Sequence, residues 1–156
     1  MGETTQVDVL VRQYERSWQM LAEAVNSFPA AEWRAGDVDY LIPARAAYHI
    51  LEAAEFYASA SSFDFPFGYR FDCDWEGATP DKLPTQEGVL AYLSEVRPKV
   101  EAWLRTADLM AEDDAFPWPG GTVLDRAHYL VRHNHHHIGE MWSELKRRGH
   151  DLPDWH

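Results

Sequence analysis

The chain has 156 residues, with 26 acidic against 14 basic side chains, a formal net charge of −12 and a pI near 4.9. This length fits a single domain spanning residues 1–156, and 46% hydrophobic with 13% aromatic residues supplies a core, which excludes intrinsic disorder. So acidic a protein repels phosphate backbones and anionic lipid, so neither nucleic acid nor a membrane surface is an expected partner.

The first periodic segment carries Val7, Val11, Tyr14, Trp18, Leu21, Val25 and Phe28 at alternating spacings of four and three. This predicts a long amphipathic helix ended by Pro29. The Ala-rich stretch from Pro43 to Tyr57 predicts a second helix, with Pro43 in its first turn. From Phe63 to Pro84 the pattern turns to aromatics, Asp, Gly and Pro, a connection long enough to cross a bundle end or cover a site. Val89, Leu93, Val96, Val100, Trp103 and Ala107 then define a third helix, in which Pro98 predicts a kink. After the turn at Phe116-Pro117-Trp118-Pro119-Gly120-Gly121, Thr122 followed by Asp125 reads as the N-cap of a fourth helix. That helix runs to about Arg148, with Gly149 supplying its left-handed cap. The fold class is therefore all-α, without an internal repeat or a domain boundary.

Cys73 has no partner for an intramolecular disulfide, and its neighbours Asp72 and Asp74 oppose a nucleophilic thiolate. The polar N-terminal residues lack a secretory pattern, and no apolar run approaches the roughly 20 residues of a membrane span. A cytoplasmic location is expected.

Five of the eight His lie between His128 and His137. On a helical wheel at about 100° per residue, Val123, Ala127, Leu130, Met141 and Leu145 share one face, and His137 and His133 border it. His133 and His137 are four residues apart, so both imidazoles can reach one cation, with a third donor required from another helix. His49, set among Ala46, Ile50, Ala53 and Phe56, is the candidate. The alternative for each is a hydrogen-bonded boundary histidine or a solvated helix face. His128, His135, His136, His150 and His156 are assigned to solvent or to outer contacts. Glu140, one turn past His137, is the candidate catalytic base or ligand-orienting group, against the alternative of a solvated carboxylate. Trp75, Trp118 and Tyr48 are candidates for lining a pocket. No His-Glu-x-x-His, Glu-x-x-His pair, Walker loop or dinucleotide-binding glycine motif is present.

These segments resemble the DinB/YfiT-like family of four-helix metal-binding proteins. The likeness lies in Tyr48-His49-Ile50-Leu51-Glu52-Ala53-Ala54-Glu55 and in His133-Asn134-His135-His136-His137-Ile138-Gly139-Glu140-Met141. Family members carry one His in the second helix and a His-x-x-x-His followed closely by Gly in the fourth, here His49, His133, His137 and Gly139. Many relatives have Arg-Gly-Gln where this chain has Ile138-Gly139-Glu140. The resemblance implies a four-helix bundle with up-down-down-up order, often a homodimer, and zinc or nickel held by the three His. Three neutral imidazoles leave a divalent cation at least one open position, the arrangement of a catalytic site. Relatives include bacillithiol- and mycothiol-dependent S-transferases, so the expected function is a divalent-metal-dependent enzyme acting on a small molecule. Its chemistry is thiol S-transfer, with a low-molecular-weight thiol as co-substrate, or hydrolysis. The mycothiol-dependent maleylpyruvate isomerase among the relatives uses a Glu ligand and is less similar. A metal-binding sensor, store or dimeric interaction protein without turnover is the alternative.

Overall fold

In the computed structural model, which describes residues 4–156, the chain forms four α-helices: α1 (Gln6–Ser27), α2 (Pro43–Tyr57), α3 (Gln86–Thr106) and α4 (Val123–Arg147). Met1 to Glu3, part of the polar N-terminal segment, lie outside the described residues. Each boundary has a chemical cause. Thr5 caps α1 and Thr122 caps α4, both in reciprocal capping boxes with an Asp three residues on, which satisfy amides that the first helical turn leaves free. Pro43 opens α2, where its missing N–H costs nothing. At the far end of α4, Gly149 adopts a φ of +80°, and the N–H groups of Gly149 and His150 donate to the carbonyls of Lys146 and Leu145. That pattern is a Schellman cap, and it follows from glycine's freedom in the left-handed region. Pro98, the position of the predicted kink, lies inside α3, which continues through it.

Side-chain pairs give the helix directions. Asp8 meets Arg105, while Gln86 donates to the carbonyls of Val25 and Phe28, so α1 and α3 are antiparallel. Tyr48 packs on Tyr92 and Glu55 pairs with Lys99, so α2 and α3 are parallel. His49 packs on His137 and Tyr57 on Tyr129, so α2 and α4 are antiparallel. Tyr14 donates to the Ala127 carbonyl and Arg148 lies over Phe28, so α1 and α4 are parallel. The bundle is therefore up-down-down-up, with α1 diagonal to α2. Trp18, Leu21, Ile50, Leu51, Val96, Leu104 and Leu130 are among the side chains filling its core. No β-strand occurs among the described residues, apart from an isolated bridge between Glu112 and Thr122. No helix there is long and apolar enough to cross a membrane.

Because α2 and α3 run the same way, the chain from Ala58 to Thr85 must return along the bundle. It carries only a single 3-10 turn, Pro80–Lys82. A stripe on α2, Arg45, Tyr48, Glu52 and Glu55, at spacings of three and four, fastens this connection. Arg45 is 2% exposed and donates to the carbonyls of Trp75, Glu76 and Ala78, and to Asp39. A buried guanidinium requires such complete pairing. Tyr48 donates to the Cys73 carbonyl, and Glu52 accepts from the Gly68 N–H. Glu55 accepts from Tyr69, Tyr92 and Lys99. Burial raises its pKa, but these donors outweigh burial and hold the carboxyl below its ordinary value.

Candidate metal centre

The antiparallel packing of α2 on α4 sets His49 opposite His133 and His137. The three ring centroids lie 4.6–4.8 Å apart, and one ligand nitrogen from each ring lies within 4.8 Å of the others. The closest pair is His49 Nε2 and His133 Nε2, at 2.9 Å. Tetrahedral coordination with metal–nitrogen bonds of about 2.0–2.1 Å places neighbouring nitrogens about 3.3 Å apart, so small ring rotations would accommodate a cation.

The electrostatics suit ligation. Burial, reinforced by the other two imidazoles, lowers the His49 pKa to about 3. Burial and the neighbouring His137 lower that of His133 to about 4. Both rings stay neutral at physiological pH, with lone pairs available. His133 Nδ1 is buried without a hydrogen-bond partner in the protein. His137 Nδ1 lies 2.7 Å from Glu140 Oε2, which leaves Nε2 as the nitrogen available to the other rings. Glu140 thus stands behind His137 within hydrogen-bond distance, with its side chain 27% exposed. A second group, His136, His137 and Glu140, also has convergent donors, but the His136 side chain is 67% exposed.

The cluster opens on a cavity of about 410 Å³, within the range of small-molecule sites. Its wall includes Ala53, Phe56, Tyr57, Phe67, Trp75 and Tyr129. Of the aromatics singled out in the sequence, Trp75 is the one on that wall, with its ring 3.9 Å from His49. Trp118 stacks on Phe56 and donates to the Tyr57 hydroxyl, at the edge of the aromatic cluster. Tyr48 is buried behind the wall and serves as an anchor. Of the other histidines, His128 and His136 are exposed, His135 is half-buried, and His150 and His156 pair with Glu32 and Glu23. Burial and the carboxylates of Asp74, Glu52 and Asp72 push the Cys73 thiol up, which disfavours its thiolate. Sequence reasoning missed Arg45 and Glu52. Their signal was polar side chains at helical spacing within an otherwise apolar helix.

Bundle and cluster together define an all-α protein with three convergent imidazoles beside a small-molecule-sized cavity. The chain belongs to the DinB superfamily, whose sequence profile matches residues 13–141 and so takes in all three His positions. No curated protein matches the chain by sequence.

Proposed function

We propose that the chain is a divalent-metal-dependent enzyme acting on a small molecule, by thiol S-transfer or by hydrolysis. The observation that carries this reading is the three-imidazole cluster at the wall of an aromatic cavity. His49, His133 and His137 would hold the cation, zinc or nickel, and Glu140 would fix the orientation of His137. When bound, such a cation supplies Lewis acidity that brings a water or a thiol to its ionised form near neutral pH. The aromatic wall excludes bulk water and positions the apolar part of the substrate. Superfamily membership favours the thiol reaction, in which the thiolate sulfur bonds to an electrophilic carbon and the leaving group departs with its electron pair. The thiol is a small soluble one, the protein works in the cytoplasm as a homodimer, and nucleic acid is not a partner.

The test measures metal content by emission spectrometry and then metal-dependent conjugation of bacillithiol, mycothiol or glutathione to 1-chloro-2,4-dinitrobenzene. Conjugation lost on chelation and absent in His137→Ala supports S-transfer. Metal bound without turnover of any thiol refutes it in favour of hydrolysis or of binding alone. Metal content unchanged in His137→Ala refutes the site.

A further inference from the structure

Two tyrosines, Tyr57 and Tyr129, stand on the wall of the cavity beside the imidazoles. Tyr129, His133 and His137 follow one another at four-residue intervals along α4, which puts Tyr129 on the same stripe as the two imidazoles. The Tyr57 ring lies 5.2 Å from that of Tyr129 and 6.5 Å from that of His133. Trp118 Nε1 donates to the Tyr57 hydroxyl at 3.0 Å. An indole N–H can only donate, so the Tyr57 oxygen is the acceptor and its own proton is left for a neighbour. Burial pushes the Tyr57 pKa up, and the adjacent Tyr129 hydroxyl does so as the acceptor of that proton. Tyr129 keeps its own proton unclaimed. It is only partly buried, no described residue accepts from it, and its hydroxyl is not among the polar atoms sealed away without a partner.

The direction of this series, from Trp118 through Tyr57 to Tyr129, gives the cavity a hydrogen-bond donor, and each bond in such a series polarises the next. The occupant that suits it carries an acceptor. A carboxylate or a phosphate would accept, but the net charge of −12 repels anions. A neutral carbonyl oxygen meets both conditions, and the faces of Phe56, Phe67 and Trp75 suit an apolar or aryl body attached to it. We propose that Tyr129 donates a hydrogen bond to the carbonyl oxygen of an uncharged small molecule whose aryl or apolar body lies against this wall, and so selects carbonyl compounds as the substrate class. The proposal rests on the metal-centre reading for the reaction the carbonyl compound undergoes, whereas its binding rests on Tyr129 and the aromatic wall alone.

The experiment is ligand-observed NMR titration of the full chain with acetophenone and toluene, which share a ring and differ in the carbonyl group. Zinc uptake is measured separately on the same proteins. In the metal-free protein, Tyr129→Phe weakens acetophenone binding about fivefold and leaves toluene within about twofold. Phe67→Ala weakens both together. Difference infrared spectra add a direct signature: the carbonyl stretch of bound acetophenone lies below its position in toluene solution and moves back up in Tyr129→Phe. A role for Tyr129 in packing alone changes both affinities equally and leaves the band in place. An unchanged acetophenone Kd in a folded Tyr129→Phe protein, an equal loss for the two probes, a band that does not move, or no acetophenone binding up to about 10 mM overturns the proposal. Should Tyr129→Phe fail to fold by circular dichroism, the unaltered protein decides, and a band no lower than that in toluene overturns the proposal. Zinc bound without a Tyr129 effect sinks this proposal alone, and a Tyr129 effect without zinc binding sinks the metal reading alone.

Discussion

Replacing Glu140 by Gln weakens zinc binding about tenfold and leaves the fold intact. The carboxylate oxygen lies 2.7 Å from His137 Nδ1, and its removal takes away both an anionic acceptor and the electron density it lends to the opposite nitrogen. Outer carboxylates of this kind contribute about 10- to 100-fold in metal affinity. The Glu140 side chain is 27% exposed, and solvent screening puts the effect at the lower end, about 1.4 kcal/mol. His137→Ala, which removes a ligand outright, loses far more. His136→Ala changes affinity by less than about twofold, because its ring is 67% exposed and 3.4 Å from Glu140. The assay is competition of zinc against a chromophoric chelator, with melting curves to confirm folding. Unchanged affinity in Glu140→Gln refutes the orienting role. A large loss in His136→Ala with none in His49→Ala places the cation in the surface group of His136, His137 and Glu140, and refutes the three-His site.

Thr122→Ala removes the capping box of α4 and costs about 1 kcal/mol, a fall in Tm of about 2–4 °C by calorimetry; an unchanged Tm counts against the cap. Arg45→Met strips the donors from three carbonyls of the long connection and costs about 3–5 kcal/mol in urea unfolding, while a loss below about 1 kcal/mol shows that the connection is held by other contacts. Hydrogen bonds from Arg147 and then Arg148 hold the Glu144 carboxyl below its ordinary value of 4.5. A depressed folded pKa means that the stability it contributes is complete above pH 4.5 and is lost as pH falls through the lower folded value. Glu144→Gln therefore flattens the acid limb of the stability curve below that pH, and an unaltered limb refutes the linkage.

The helices were legible because their apolar residues recur at the period that packing demands, and because Thr122 with Asp125, Pro43 and Gly149 mark ends by local chemistry. His133 and His137 were legible for the same reason, since four-residue spacing on one helix fixes their relation before any tertiary contact forms. Their meeting with His49 depends on how α2 runs against α4, which the spacing within one helix does not encode. Arg45, Glu52 and Glu55 were hidden by a rule that usually works. Charged residues at helical spacing mark a solvated face, yet here that face is buried beneath the chain from Ala58 to Thr85. Only long-range partners, such as the carbonyls of Glu76 and Ala78 for Arg45 and the amide of Gly68 for Glu52, reverse that reading.

The site thus divides its tasks between two kinds of structure. The imidazoles stand on α2 and α4, rigid helices whose packing fixes donor positions. The cavity wall is shared with the connection, which contributes Phe67 and Trp75 and is fastened by the α2 stripe. Changes at Phe67 or Trp75 can therefore alter which molecule fits without moving the donors, provided Arg45, Tyr48 and Glu52 keep the backbone in place.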